Sequence, residues 1–193
     1  MPCIGVLAIQ GDFAAHIATL REAGAKVCEV RKADEFRQVD GLVIPGGEST
    51  TLLKFVLNPD LGYIEAFQDF HQEGKPIFGT CAGLILLAKD VINPVQFSFG
   101  FIDVAVERNA YGRQKESFET VGEGYLEGAA KPLKMVFIRA PRITRLGAKV
   151  DLLATWQQEP VMARQGNVLV ASFHPELTGD LTVHRYFPDM VKQ

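Results

Sequence analysis

Three short stretches of this chain carry side chains that could do chemistry. Gly79-Thr80-Cys81-Ala82-Gly83 sets a thiol between two glycines, with an apolar run before it at 76–78 and another after it at 84–88. A strand, a tight turn and a helix in that order make a nucleophile elbow, here with Cys in place of Ser. Such a turn strains the nucleophile's backbone and brings its neighbours close, which calls for glycine on both sides. The thiol would stand at the carboxyl edge of a sheet, over a helix N-terminus whose partial positive charge favours thiolate. A small buried cysteine in an ordinary turn would leave the same letters, so the rest of the chain has to decide.

His174-Pro175-Glu176 follows the apolar run 168–173. Residues i and i+2 of an extended backbone point the same way, and Pro175 pushes His174 towards that conformation. Glu176 can then bond one imidazole nitrogen while the other faces a nucleophile. The alternative is a strand-end turn with two unrelated polar groups.

Pro45-Gly46-Gly47-Glu48-Ser49 is the third stretch. Two glycines after a strand free backbone N–H groups to face a ligand, and Ser49 can cap the helix that follows. It reads as an oxyanion-binding or substrate-binding loop, or as a flexible turn. Arg108 and Arg139 fall at or near strand ends. Each is either a surface salt bridge or part of a clamp on a substrate carboxylate, for which the guanidinium fork is suited.

The elements that must position these residues alternate. Strand patterns at 3–9, 26–30 and 41–44 are separated by a helix that Asp12 can cap and by a polar connection at 31–38. Continuous apolar strands between helices indicate a doubly wound, mostly parallel α/β sheet, whose sites lie at the carboxyl ends of its strands. After Asn93-Pro94 the pattern changes to antiparallel strands and loops, with an alternating run at 97–107. A C-terminal helix carries His184 and Arg185, read as surface residues.

At 193 residues and 47% hydrophobic content the chain can bury one good core, so a single domain over 1–193 is expected. No apolar run is long enough to span a membrane, and the first residues read as a strand and not a signal peptide. Three cysteines without metal-type spacing argue against a disulfide framework and for a reducing cytoplasm, with Cys3 and Cys28 in the core. A net charge of −3 argues against a nucleic-acid partner.

Cys81, His174 and Glu176 together make a nucleophile, a general base and the group that orients it. With the elbow, the Pro45-Gly46-Gly47 loop and the late His-Pro-Glu, the chain resembles the class I (triad) glutamine amidotransferases. Further stretches are similar to one branch, the glutaminase subunits of pyridoxal 5′-phosphate synthase. These are 4–12, 45–51, 106–114, 137–141 and 172–176. The segment 121–134 carries no motif of that family.

The resemblance implies a three-layer, flavodoxin-like α/β/α fold with antiparallel additions to a mostly parallel sheet. It implies hydrolysis of L-glutamine to L-glutamate and ammonia, with no cofactor and no metal. Gly47, Glu48, Ser49, Arg108, Ile138 and Arg139 would line the glutamine site. Backbone N–H groups of Gly46, Gly47 and Ala82 would hold the oxyanion, and a flip of the Gly46–Gly47 peptide could switch that hole. Ammonia would pass to a (β/α)₈-barrel synthase subunit in a hetero-oligomeric complex. Rival readings are a glutaminase for another pathway, a non-enzymatic thiol sensor or chaperone on the same sheet, and an inactive regulatory subunit.

Overall fold

The computed structural model describes residues 2–108, 117–126 and 128–192. Residues 109–114 of the motif at 106–114 therefore lie outside the described residues, as does Glu127 within 121–134.

The first half alternates as the apolar runs predict. It runs β1 (Cys3–Leu7), α1 (Phe13–Glu22), β2 (Lys26–Val30), β3 (Gly41–Ile44), α2 (Ser49–Val56), α3 (Tyr63–Gln72), β4 (Ile77–Thr80) and α4 (Ala82–Leu87). The second half is strand-rich: β5 (Ala88–Ile92), β6 (Ile102–Glu107), β7 (Ser117–Gly124), β8 (Lys131–Ile138), β9 (Arg142–Leu146), β10 (Asp151–Trp156), β11 (Glu159–Gln165) and β12 (Val168–Ala171). Helix α5 (Thr182–Val191) closes the chain.

Among the described residues the main sheet has the order β2-β1-β3-β4-β12-β11-β10-β7-β8. The pairs from β2 to β12 are parallel, and those from β12 to β8 are antiparallel. β5, β6 and β9 form a smaller sheet. The late strand β12 therefore sits beside β4 at the inner end of the parallel half, in the middle of the nine-stranded sheet. That insertion brings the His-Pro-Glu stretch next to the cysteine elbow.

Alternation along the central strands divides the core in two. Val6, Val43, Phe78 and Leu169 pack against Ile17 and Leu20 of α1 and Val183 and Phe187 of α5. Leu7, Leu42, Ile44, Ile77 and Val170 pack with α2, α3 and α4 through Leu52, Val56, Phe67 and Leu84. Helices thus cover both faces, giving the three layers that the resemblance implied.

Several local expectations are corrected. The helix after the elbow ends at Leu87 and Ala88 begins a strand, so the apolar run hid a switch of period. The connection at 31–38 contains a 3₁₀ turn, Ala33–Gln38, that buries Phe36. In the alternating run only Ile102–Glu107 is a strand, and Phe97, Phe99 and Phe101 before it pack ring on ring. His184 is fully buried, not a surface residue, because it shares the inner face of α5 with Phe187 and Pro188. Cys3 and Cys28 are only half-buried and lie 3.4 Å apart on adjacent strands.

Candidate active site

The loops after β1, β3, β4 and β12 all leave the carboxyl edge of the parallel strands, where such sheets place their sites. Cys81 is buried and has φ 48° and ψ −100°, the strained backbone expected of an elbow. Both flanking glycines are required by contact. A Cβ on Gly79 would lie 2.6 Å from the backbone of Gly83, and one on Gly83 would lie 2.3 Å from Ile44 O. Helix α4 has only six residues, a short dipole to hold a thiolate. The nearer electrostatic partner is a histidine.

His174 ends the loop from β12, and its N–H donates to Val136 O of β8 at 2.7 Å. Pro175 opens a 3₁₀ turn, Pro175–Leu177, and His174 keeps a semi-extended backbone at its start. Glu176 Oε1 is 2.8 Å from His174 Nδ1, so the i, i+2 pair forms as the spacing predicts. That bond fixes the free nitrogen as Nε2, which is buried and holds no well-aligned hydrogen bond among the described residues. A methyl group on Gly46 would lie 2.4 Å from His174 Cε1 and 3.1 Å from Cys81 Cβ, so both side chains converge on one point of the Gly46 loop.

Burial works against a charged His174, but Cys81 and Glu176 outweigh it and raise its pKa to about 10. Burial likewise opposes the Glu176 carboxylate, and His16 and His174 overcome that and hold it below the usual carboxylate range. The imidazole is therefore positively charged at neutral pH beside the thiol.

A cleft of about 320 Å³ opens over these residues, lined by Gly47, Glu48, Ser49, Arg108, Ile138 and Arg139 together with Asp12, Ile85 and Pro141. That volume is at the small end of ligand sites and suits an amino acid better than a nucleotide. All six residues expected to bind substrate line it. Two arginines and two carboxylates around it complement an α-carboxylate and an α-ammonium group. Arg139 has φ 43°, a strained conformation for a side chain aimed by its surroundings. Ile138 O lies 4.0 Å from Cys81 Sγ.

The loop differs in detail from its sequence reading. Glu48, not Ser49, is the N-cap of α2, with its carboxylate accepting from Thr50 N–H at 3.2 Å and Thr50 Oγ1 at 2.9 Å. Those Thr50 bonds, aided by Arg139 and Arg108, keep Glu48 ionised. Gly46 does not offer its N–H to an oxyanion, because that N–H donates to Thr80 Oγ1 at 3.0 Å. Gly46 O accepts from Asp12 N–H at 3.2 Å. Gly47 has φ 145°, and a Cβ there would meet Gln10 and Gly11.

Sequence reasoning missed Asp12, Thr80 and His16. Asp12 makes no side-chain cap, and its Oδ2 lies 3.6 Å from His174 Nδ1 instead. His16 Nε2 lies 3.3 Å from Glu176 Oε2. The signal for His16 was its place among Phe13, Ile17 and Leu20, on the inner stripe of α1. Asp12, His174 and Glu176 are close enough to share a cation, but His174 Nδ1 and Glu176 Oε1 are already bonded to each other.

Residues 6–193 match the family described as the SNO glutamine amidotransferase family. The chain is 52% identical over 190 residues to a protein of Thermosipho africanus called pyridoxal 5′-phosphate synthase subunit PdxT, covering 98% of this chain and 99% of that one. It is 46% identical to the protein of the same name from Niallia circulans, over 98% of each chain. A solved structure described as a glutamine amidotransferase superposes with a TM-score of 0.89 at 45% identity, covering 98% of this chain and 99% of that one. The structure of PurLQS from Thermotoga maritima shares the fold at a TM-score of 0.68 and 15% identity, over 99% of this chain and 98% of that one.

Proposed function

This chain belongs to the SNO glutamine amidotransferase family, and from that premise we propose that Cys81, His174 and Glu176 are its catalytic triad. The protein hydrolyses L-glutamine to L-glutamate and ammonia as the glutaminase subunit of a pyridoxal 5′-phosphate synthase. The observation that carries the triad is the convergence of Cys81 and His174 on Gly46, with Glu176 bonded to the far nitrogen of the imidazole.

The chemistry follows from that arrangement. The Cys81 thiolate attacks the side-chain amide carbon of glutamine, and the carbonyl oxygen takes the negative charge. His174, charged beside the thiolate, gives its Nε2 proton to the amide nitrogen, which leaves as ammonia. A thioester of glutamate remains on Cys81. His174, now neutral, takes a proton from water, whose oxygen attacks the thioester carbon. Glutamate departs and the proton returns the imidazole to its charged form. Glu176 stabilises that form in both halves of the cycle.

The oxyanion is assigned to the N–H groups of Ala82 and Gly47, since Gly46 N–H is committed to Thr80. Gly47 N–H belongs to the same peptide as Gly46 O, which accepts from Asp12 N–H. Turning that peptide over would exchange the Asp12 bond for a different orientation of Gly47 N–H, a cheap change where both residues are glycine. Arg108 and Arg139 hold the α-carboxylate, and Glu48 with Ser49 and Ile138 completes the substrate site.

The ammonia goes to a (β/α)₈-barrel synthase subunit in a hetero-oligomeric, cytoplasmic complex. Among the described residues no helix is long and apolar enough to cross a membrane. The test is glutamate release from L-glutamine with and without the purified synthase subunit, beside Cys81→Ala. Activity that rises with the synthase and vanishes in the variant supports the reading. Cys81-dependent activity indifferent to the synthase would instead point to another partner.

A further inference from the structure

Helix α1 carries a buried histidine that the steps above do not use. His16 is fully buried, and its Nε2 lies 3.1 Å from Thr80 Oγ1 and 3.3 Å from Glu176 Oε2. Its Nδ1 lies 3.0 Å from Nε2 of His184, which is also fully buried. Thr80 is the residue before the nucleophile, and its hydroxyl accepts the N–H of Gly46. Three residues along α1, on the same face, Thr19 Oγ1 reaches Glu176 O at 3.4 Å. Helix α1 thus contacts Glu176 at both its carboxylate and its backbone.

Hydrogen-bond accounting fixes the tautomer of His16. Glu176 Oε2 is buried and holds no well-aligned hydrogen bond, so the imidazole edge at 3.3 Å is what faces it. A proton on His16 Nδ1 would present a lone pair to that charged oxygen. A proton on Nε2 gives both Glu176 Oε2 and Thr80 Oγ1 a donor and lets His184 Nε2–H donate to His16 Nδ1. What is then left over is neutral, the His184 Nδ1 acceptor and the hydroxyl proton of Thr80. Leaving a neutral acceptor unpaired costs less than leaving a carboxylate oxygen unpaired.

From this geometry we infer that His16 is a positioning residue for glutamine hydrolysis: its Nε2–H fixes the carboxylate of Glu176 and, through Thr80, the Gly46 loop, so that the acid of the triad and the substrate loop are held in one register. The inference rests on the triad assignment above. Burial holds His16 below its ordinary value, against the pull of Glu176 and Asp12 and with the help of His174. It is therefore neutral at pH 7, where His174 carries the charge that keeps Glu176 ionised and His16 supplies an N–H dipole. A full cation at this position would compete with His174 for the charge on Glu176.

The alternative is that His16 only fills space, since it packs edge-on against Phe78 and beside His184. Two substitutions separate the roles. His16→Leu keeps the volume and loses the donor, whereas His16→Gln places an amide N–H near the position of Nε2. The assay is steady-state glutamate release by the complex with the synthase subunit, with the thermal midpoint of each variant recorded.

A positioning role predicts that kcat of His16→Leu falls on the order of tenfold or more. KM should stay within about twofold, since the cleft is untouched. His16→Gln should recover most of kcat even where its thermal midpoint is the lower of the two. Equal kcat for wild type and His16→Leu, or equal losses in both variants, would overturn the inference. Should His16→Leu not fold, His16→Asn against His16→Gln makes the same comparison, because the Asn amide stops short of Glu176. Cys81→Ala runs alongside: activity surviving in that variant would sink the triad assignment itself, a result distinct from any pattern at His16.

Discussion

Glu176 Oε1 and His174 Nδ1 lie 2.8 Å apart, and their side chains are 0% and 3% exposed. Water scarcely competes for either group, so each sets the charge of the other. That relationship makes the protonation of the site readable in a pH profile.

With Glu176 in place, His174 is raised to about 10 and stays charged through neutral pH. The alkaline limb of kcat/KM in the wild type should therefore lie near that value. Glu176→Gln removes the negative charge, which lowers the His174 pKa and moves the limb towards neutrality. We expect kcat to drop about a hundredfold in the same variant, the usual scale of acid–base catalysis. An unshifted alkaline limb in Glu176→Gln would contradict the pairing.

Gly83→Ala should damage fold and chemistry together. The added Cβ would sit 2.3 Å from the backbone oxygen of Ile44, a contact that no side-chain rotation relieves. A loss of about 1–3 kcal/mol in urea unfolding is expected, with a larger fall in kcat than Gly128→Ala, whose new atom has nothing within 4 Å and whose only cost is its φ of 88°, away from the site. Equal behaviour of the two variants would count against the elbow contact.

Arg139→Ala should raise KM for glutamine about tenfold or more and leave kcat nearly unchanged, the mark of a lost ground-state contact to a carboxylate. Because Arg139 has φ 43°, Arg139→Gly should show the same KM with slightly higher stability. A fall in kcat at constant KM would place Arg139 with the reacting atoms instead.

Stability should peak near pH 6.5. His16 and His184 are lowered by burial, His184 to about 3. As pH falls below 6.5 the unfolded chain takes up those protons first, so stability present above 6.5 is lost towards pH 3. His174 is raised to about 10, so its contribution is complete below 6.5 and is lost as pH climbs through 10. Each proton changes the unfolding free energy by about 1.4 kcal/mol per pH unit. Urea unfolding across pH 4 to 10 checks this, and stability rising steadily from pH 6.5 to pH 4 would refute the buried, neutral state of the two histidines.

The elbow around Cys81 and the pairing of His174 with Glu176 were legible because their spacing is local. Two glycines around Cys81, and His and Glu two apart with proline between them, fix their own geometry. The parallel strands were legible as apolar runs for the same reason. What was not legible depended on topology. Nothing near Asp12 or His16 says that β12 inserts beside β4, yet that insertion carries Glu176 to the inner face of α1. Gly46 looked like an oxyanion donor because a Gly-Gly loop frees two N–H groups. The hydroxyl that captures one of them, Thr80, lies 34 residues away. The run 84–88 read as the start of a helix, across the point where the strand begins, because a short apolar stretch has no period of its own.

The central claim is that Cys81 is the nucleophile for glutamine. A glutamine analogue with a diazoketone in place of the amide, incubated with the protein alone and with its synthase subunit, tests it most directly by peptide mapping. The account predicts a single adduct on Cys81, formed faster with the subunit, blocked by excess L-glutamine and absent in Cys81→Ala. No adduct in either condition, or one on Cys3 or Cys28 that glutamine does not block, would contradict it.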